Sequence, residues 1–215
     1  MAIDTGRIEA AVSELIRAIG DDPDRPELAS TPARVATAYT EFFAGIGVDP
    51  LEVLGDPTEI DLGAGETGEI VALRDIEFRS VCEHHLLPFT GVAHVAYLPD
   101  QHVVGLGRIP RVVEVLSSRP QLQERLTEQI ASALDAGLSP RGVLVVMDAR
   151  HACVGARGVR QSGSSTVTVA SRGELRDPVA RAEVMGMFAL SRGVDGVGAA
   201  PAAPAAPAAG AGSDS

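Results

Sequence analysis

The pattern of apolar and polar residues predicts two helices in the first part of the chain. Apolar residues recur at helical spacing over residues 5–19. The segment "STPARVATAYTEFF" predicts a second helix, with Thr31 as N-cap and Pro32 in its first turn. Residues 46–67 are rich in glycine, proline and acidic residues, which is typical of a connector.

After this connector the period of the pattern changes from helical to alternating. "GEIVALRDIEFRS" and "GVAHVAYLP" predict a pair of strands, and "RGVLVVMDA" and "SSTVTVASR" predict a second pair. Between the pairs, "RIPRVVEVLSSR" and "PQLQERLTEQIASALDAG" predict two helices, the second ending at Gly137. A last helix begins at Asp177–Pro178. Adjacent strand pairs predict an α+β fold, with an antiparallel four-stranded sheet and helices on one face.

The composition divides the chain into three regions. Residues 1–45 form an N-terminal helical region, and residues 46–192 form the domain that contains the sheet. Residues 193–215 consist mainly of alanine, proline and glycine. Such a segment cannot bury enough apolar surface to fold, so it predicts a disordered tail.

The charge distribution excludes some classes of partner. The net charge is −11, and the first 70 residues hold 15 acidic residues but only 4 arginines. This balance argues against a nucleic-acid surface. The chain shows neither a membrane-length apolar run nor a signal peptide, so no membrane partner and a cytoplasmic location are expected. In that compartment the two cysteines are predicted to be free thiols or metal ligands.

The two connections between paired strands hold the most distinctive chemistry. "CEHHLLPFT" joins the first pair and "RHACVGARGVRQSG" joins the second, and together they contain both cysteines and three of the five histidines. Cys82 and His85 form a Cys-x-x-His pair, and Cys153 can supply a third ligand from the other connection. Two thiolates and an imidazole suit zinc. Three protein ligands would leave the fourth tetrahedral position for water, as in catalytic sites.

Two alternatives remain open at this stage. His84 or His151 could be a fourth ligand, which would make the site structural, and Cys82 and Cys153 could form a disulfide in an oxidised sample. Adjacent side chains point in different directions, which favours His84 as a neighbouring acid or base rather than a second ligand beside His85.

Four blocks of sequence resemble the GTP cyclohydrolase I family. They are "CEHHLLPFTGVAHVAYLP", "QLQERLTEQIA", "RHACVGARGV" and "STVT", in that order, and the resemblance runs from about residue 22 to residue 190. It implies the tunnelling fold (T-fold), with residues 46–192 as the catalytic domain. It also implies that the enzyme hydrolyses the imidazole ring of GTP, releases C8 as formate and closes a new ring to give 7,8-dihydroneopterin triphosphate. A homodecamer with active sites between subunits is expected.

The resemblance also implies roles for individual residues. The zinc ligands of the family match Cys82, His85 and Cys153, and its catalytic histidines match His84 and His151.

The substrate-binding residues of the family also have counterparts. Glu124 matches the glutamate that holds the guanine edge, and Arg111 and Arg157 match triphosphate-binding residues. The segment "VGLGRIPR" departs from the family pattern, because Gly107 replaces a serine and Arg108 replaces a phosphate-binding lysine. Arg108 keeps the charge, whereas Gly107 removes a hydroxyl group.

The missing hydroxyl group keeps two enzymatic alternatives open. The chain could be a paralogue that stops at the ring-opened formamidopyrimidine, or one that uses another purine nucleotide. A non-catalytic assembly module with a structural zinc site is the third alternative. A nitrile reductase of the same fold ranks last, since it does not need two metal-binding cysteines.

Overall fold

The computed structural model describes residues 2–60, 63 and 68–189, so the predicted tail at 193–215 lies outside the described residues. The helices are α1 (Thr5–Ala18), α2 (Thr31–Phe42), α3 (Pro50–Leu54), α4 (Arg108–Ser117), α5 (Gln123–Leu138), α6 (Ala152–Gly155) and α7 (Pro178–Ala189). The strands are β1 (Thr58–Glu59), β2 (Val71–Cys82), β3 (Pro88–Leu98), β4 (His102–Val103), β5 (Pro120–Gln121), β6 (Gly142–His151) and β7 (Thr166–Gly173). Among the described residues, no helix has the length and apolar character needed to cross a membrane.

The main sheet has the strand order β5-β2-β3-β6-β7. Its four long strands are antiparallel, which confirms the predicted α+β class and both predicted strand pairs. The two-residue strand β5 adds a parallel fifth strand beside the end of β2. Strands β1 and β4 form a separate two-stranded sheet.

Helices α4 and α5 cover one face of the main sheet and form the larger core with it. Alternate residues of β6, such as Val145 and Met147, point into this core. The residues between them face the other way, and Val146 packs with Val184 and Phe188 of α7. Helices α4 and α5 therefore follow the predicted one-sided arrangement, and α7 covers part of the opposite face.

Three local features differ from the pattern-based expectations. Helix α5 begins at Gln123 instead of Pro120, because Pro120–Gln121 pairs with the end of β2. Gly137 does not end α5 but lies inside it, where a side chain would overlap Leu54 of α3. The cap of α5 is Ser139, which has a left-handed backbone with φ of 45°.

The N-terminal region also differs in detail. The N-cap of α2 is Ser30, one residue before the predicted Thr31. Helix α1 packs against α2 and buries Ile16, whereas Leu15 and Ile19 are 60% and 74% exposed. Part of the apolar face predicted for residues 5–19 is therefore exposed to solvent in the single chain.

We expect Gly91→Ala to lower the free energy of unfolding by about 1–3 kcal/mol. Gly91 lies in β3, and a methyl group there would overlap the backbone carbonyl of Asp148 in β6. Chemical denaturation of both proteins measures the difference. Gly163→Ala is the control, because its methyl group would meet no atom within 4 Å. Equal stability of Gly91→Ala and the parent chain would contradict the tight β3–β6 packing.

Candidate active site

The strand order brings the two chemically distinctive connections together at one end of the strands. We call this end of the sheet the metal-binding edge. Strand β3 pairs with β2 on one side and with β6 on the other. Val81 lies opposite Pro88, and Phe89 lies opposite His151. The end of β2, the start of β3 and the end of β6 therefore meet, which places the connection after Cys82 beside the connection after His151.

Cys82, His85 and Cys153 converge at this edge. Their ligand atoms all lie within 4.8 Å of one another, and the Cys82 Sγ to His85 Nδ1 distance is 3.8 Å. A tetrahedral zinc ion bound by one sulfur and one nitrogen would hold these two atoms about 3.6 Å apart. The three side chains therefore fit a zinc ion in both donor type and spacing. Both cysteines are free thiols in the structure.

A short backbone turn places Cys82 and His85 on the same side. The Cys82 carbonyl accepts hydrogen bonds from the backbone N–H of His85 at 3.3 Å and of Leu86 at 2.8 Å. The Cys82 N–H donates to the Leu87 carbonyl at 2.9 Å. Leu86 has a φ of 53°, a left-handed conformation that turns the chain back into β3. This turn gives the Cys-x-x-His pair its reach toward a common ion.

Side chains from β5 and α5 hold the Cys-x-x-His turn in place. Arg125 of α5 forms an ion pair with Glu83, and its Nε donates to the Gln121 side chain at 3.4 Å. The Glu83 N–H donates to the Gln121 carbonyl at 3.1 Å. Arg125 and Gln121 therefore connect the turn to the rigid body of the domain.

We expect Arg125→Met to weaken zinc binding by about 10-fold, because residues that support metal ligands affect affinity on this scale. Competition with a chromophoric chelator measures the zinc affinity. Arg172→Met is the control. Arg172 of β7 pairs with Glu128, which lies in α5 like Arg125, and not with the Cys-x-x-His turn. If both variants bind zinc as tightly as the parent chain, the Arg125–Glu83 pair does not stabilise the turn.

The two other histidines lie outside the group of three ligands. The His84 side chain is exposed, and its ring is perpendicular to that of His85 at a centroid distance of 6.2 Å. His151 stacks on Phe89 with centroids 4.5 Å apart and planes within 5°. Its Nε2 lies 2.7 Å from Gln123 Oε1. Within the part of the chain that the structure describes, the three-residue group therefore gains no fourth ligand from either histidine.

Local charges act on the protonation of the site. Burial lowers the pKa of His151, and the negative charge of Glu124 opposes this effect. Burial raises the pKa of the Cys153 thiol, and the nearby Cys82 raises it further, whereas Arg157 lowers it. Two adjacent thiolates repel each other unless a cation lies between them, which is consistent with a metal site.

Only some of the expected substrate-binding residues lie near this cluster in the single chain. Glu124 and Arg157 are close enough to act electrostatically on His151 and Cys153. Arg111 instead lines an open cleft that includes Glu77 of β2. Glu77 precedes Cys82 by five residues, about 17 Å along an extended strand.

Arg108 and Gly107 lie at the start of helix α4. Arg108 donates a hydrogen bond to the Val53 carbonyl at 3.3 Å. Gly107 is the N-cap of α4, and a side chain at this position would meet no atom within 4 Å. A serine would therefore fit at position 107.

Three residues that shape the site have roles that the sequence pattern does not predict. Gln123 and Phe89 contact the His151 ring, and Arg125 supports the Cys-x-x-His turn. The sequence contained one usable signal, since Gln123 is a polar residue on the mainly apolar face of α5 and directly precedes Glu124. Phe89 and Arg125 gave no such signal, because core phenylalanines and surface arginines are common.

Two thiols and one imidazole converge at one end of the strands of this α+β domain, and they form a donor set of the kind that catalytic zinc proteins use. The model of the GTP cyclohydrolase I family matches residues 8–189. This chain therefore belongs to the GTP cyclohydrolase I family, and the tunnelling fold expected from the resemblance is confirmed with it.

Several curated relatives carry the name GTP cyclohydrolase 1. The protein from Leifsonia xyli subsp. xyli is 60% identical over 184 residues, which cover 86% of this chain and 95% of that protein. The protein from Mycobacteroides abscessus is 53% identical, covering 85% of this chain and 88% of its own length. The protein from Streptomyces griseus subsp. griseus is 52% identical, covering 86% and 91%.

Proposed function

We propose that this chain is a zinc-dependent GTP cyclohydrolase. It would convert GTP and one water molecule to 7,8-dihydroneopterin triphosphate and formate. The observation that carries the proposal is the convergence of Cys82, His85 and Cys153 within 4.8 Å, in a chain that belongs to the GTP cyclohydrolase I family. Family membership favours this reaction over a ring-opening paralogue and over a structural zinc module.

Cys82, His85 and Cys153 would hold the zinc ion. Bound zinc supplies a Lewis acid and lowers the pKa of a coordinated water to near 7. Both thiols must be reduced for this binding, so a reducing compartment such as the cytoplasm is part of the proposal.

The surrounding side chains would bind the substrate and move protons. The Glu124 carboxylate can accept two N–H bonds, from N1 and the exocyclic amine of guanine. Arg157 suits a phosphate oxygen. His151, held against Phe89, would exchange protons with the opening ring and the ribose, and the exposed His84 would assist.

The proposed roles of Arg108 and Arg111 involve a second copy of the chain. Arg108 contacts Val53 and Arg111 lines an open cleft beside β2, and the triphosphate of GTP needs several cations. We propose that a neighbouring subunit supplies them, as in the homodecamer implied by the family resemblance. The partly exposed apolar residues of α1 support further contacts between subunits.

Glu124→Gln is expected to lower kcat/KM for GTP by about 100-fold. The substituted amide would present an N–H group to a guanine N–H, leaving buried donors without an acceptor. Steady-state kinetics with GTP measure the loss. Glu128→Gln, one turn further along α5, is the control. An unchanged kcat/KM in Glu124→Gln would show that Glu124 does not bind guanine.

Mass spectrometry of the products formed from GTP by the zinc-loaded protein tests the proposed function. Dihydroneopterin triphosphate with formate is the expected result. An accumulating formamidopyrimidine nucleotide would support the ring-opening paralogue, and the Gly107→Ser variant would then show whether the missing hydroxyl group causes the block. Unchanged GTP in the presence of bound zinc would overturn the proposal.

A further inference from the structure

The side-chain amide of Gln123 has a fixed orientation. Gln123 is 1% exposed, and its amide nitrogen lies 2.8 Å from the Thr166 carbonyl and 3.2 Å from the Met147 carbonyl. Carbonyl oxygens only accept hydrogen bonds, so the atom that faces them must be the NH₂ group of the amide. The carbonyl oxygen of the amide therefore points the other way, toward His151.

A pair of threonines confirms this orientation independently. The Thr127 hydroxyl donates to the Gln123 backbone carbonyl at 2.7 Å, which uses its single hydrogen. The Thr168 hydroxyl lies 2.6 Å from Thr127 Oγ1 and must therefore be the donor of that bond. Thr168 Oγ1 is then an acceptor toward Gln123, whose nitrogen lies at 3.1 Å. All three acceptors around the Gln123 nitrogen therefore agree with an NH₂ group at this position.

This orientation determines which nitrogen of His151 carries a proton. Gln123 Oε1 has no hydrogen, so the 2.7 Å bond to His151 Nε2 requires a hydrogen on Nε2. The ring cannot rotate freely, because it stacks on Phe89. Among the described residues, no hydrogen-bond partner of His151 Nδ1 is found.

We propose that Gln123 is a positioning residue that holds His151 as the Nε2–H tautomer and leaves Nδ1 as the atom that exchanges a proton with the substrate. The catalytic part of this inference rests on the proposed function. The tautomer itself follows from hydrogen bonds alone. The ring is held at two places, because Gln123 bonds to Nε2 and Phe89 stacks on the ring face.

The tautomer can be observed directly. Magic-angle-spinning NMR of zinc-loaded protein, labelled with ¹⁵N in histidine, separates protonated from unprotonated ring nitrogens. The signals that disappear in His151→Gln belong to His151. We expect a protonated Nε2 in the parent chain and a mixture of tautomers in Gln123→Met. A parent spectrum with the proton on Nδ1 would overturn the inference.

Kinetics separate a positioning role from a structural one. Gln123→Met is expected to lower kcat by about 10- to 100-fold with little change in KM. Ser132→Ala is the matched control, because it removes another side-chain hydrogen bond of α5, from Arg172, at a distance from His151. Adding Gln123→Met to His151→Gln should cause no further loss.

Two outcomes would contradict the positioning role. One is a further loss of activity in the double variant, and the other is an equal loss in Ser132→Ala. A protonated Nε2 in a protein that leaves GTP unchanged would uphold the tautomer and overturn the proposed function, so the two failures can be distinguished.

Discussion

Cys153→Ser is expected to abolish high-affinity zinc binding and to lower cyclohydrolase activity by at least about 1000-fold. A serine hydroxyl is a poor replacement for a thiolate ligand, and only Cys82 and His85 would remain from the group of three. Zinc content per chain and the rate of formate release measure the two effects.

Val154→Ala is the matched control for Cys153→Ser. Val154 is an exposed neighbour in the same short helix and does not belong to the ligand group. It should retain a full equivalent of zinc and the parental rate. A Cys153→Ser protein that keeps both its zinc and its activity would show that the metal site has been assigned to the wrong residues.

His151→Ala is expected to keep its zinc and to lose ring opening by about 1000-fold, the scale of general acid–base catalysis. The three ligand side chains do not include His151, so the metal should remain. The measurement is the disappearance of GTP together with zinc content. His102→Ala, a histidine in the small sheet formed by β1 and β4, should behave like the parent chain.

Two outcomes would contradict the role of His151. Full activity in His151→Ala would show that His151 does not transfer protons in the reaction. Loss of zinc from the same variant would show that His151 is a ligand, and the site would then be a closed one with four protein donors.

The sheet and the convergence of Cys82, His85 and Cys153 could be predicted from the sequence because both depend on local patterns. Alternation identified the long strands, and pairing of sequence neighbours placed both connections between antiparallel strands. Cys82 and His85 lie on one turn, so their spacing alone brings them together. Cys153 could be predicted as the third ligand because it is the only other cysteine in the sequence and lies in the second connection.

Other features depend on tertiary contacts that no local pattern encodes. Gly137 was predicted to end α5, but the close approach of Leu54 explains the glycine within the helix. The role of Gln123 depends on Met147 and Thr166, which belong to two different strands. Pairing of Pro120–Gln121 with β2 overrides the helical pattern at the start of α5.

The positions of Arg108 and Arg111 show a further limit of a single sequence. The residue types suit a triphosphate, but in their own chain Arg108 contacts Val53 and Arg111 lines an open cleft beside β2. Their proposed role therefore requires a second copy of the chain. When a residue acts at the site of a neighbouring subunit, its spacing from the other site residues along the sequence does not indicate its role.

The central claim is that Cys82, His85 and Cys153 form an open zinc site with a fourth position for water. X-ray absorption spectroscopy of the zinc-loaded protein in solution tests this claim most directly. An open site would give two sulfur ligands at about 2.3 Å, one imidazole nitrogen, and one further oxygen at about 2.0 Å. Two sulfurs with two imidazoles, or a single sulfur, would contradict it.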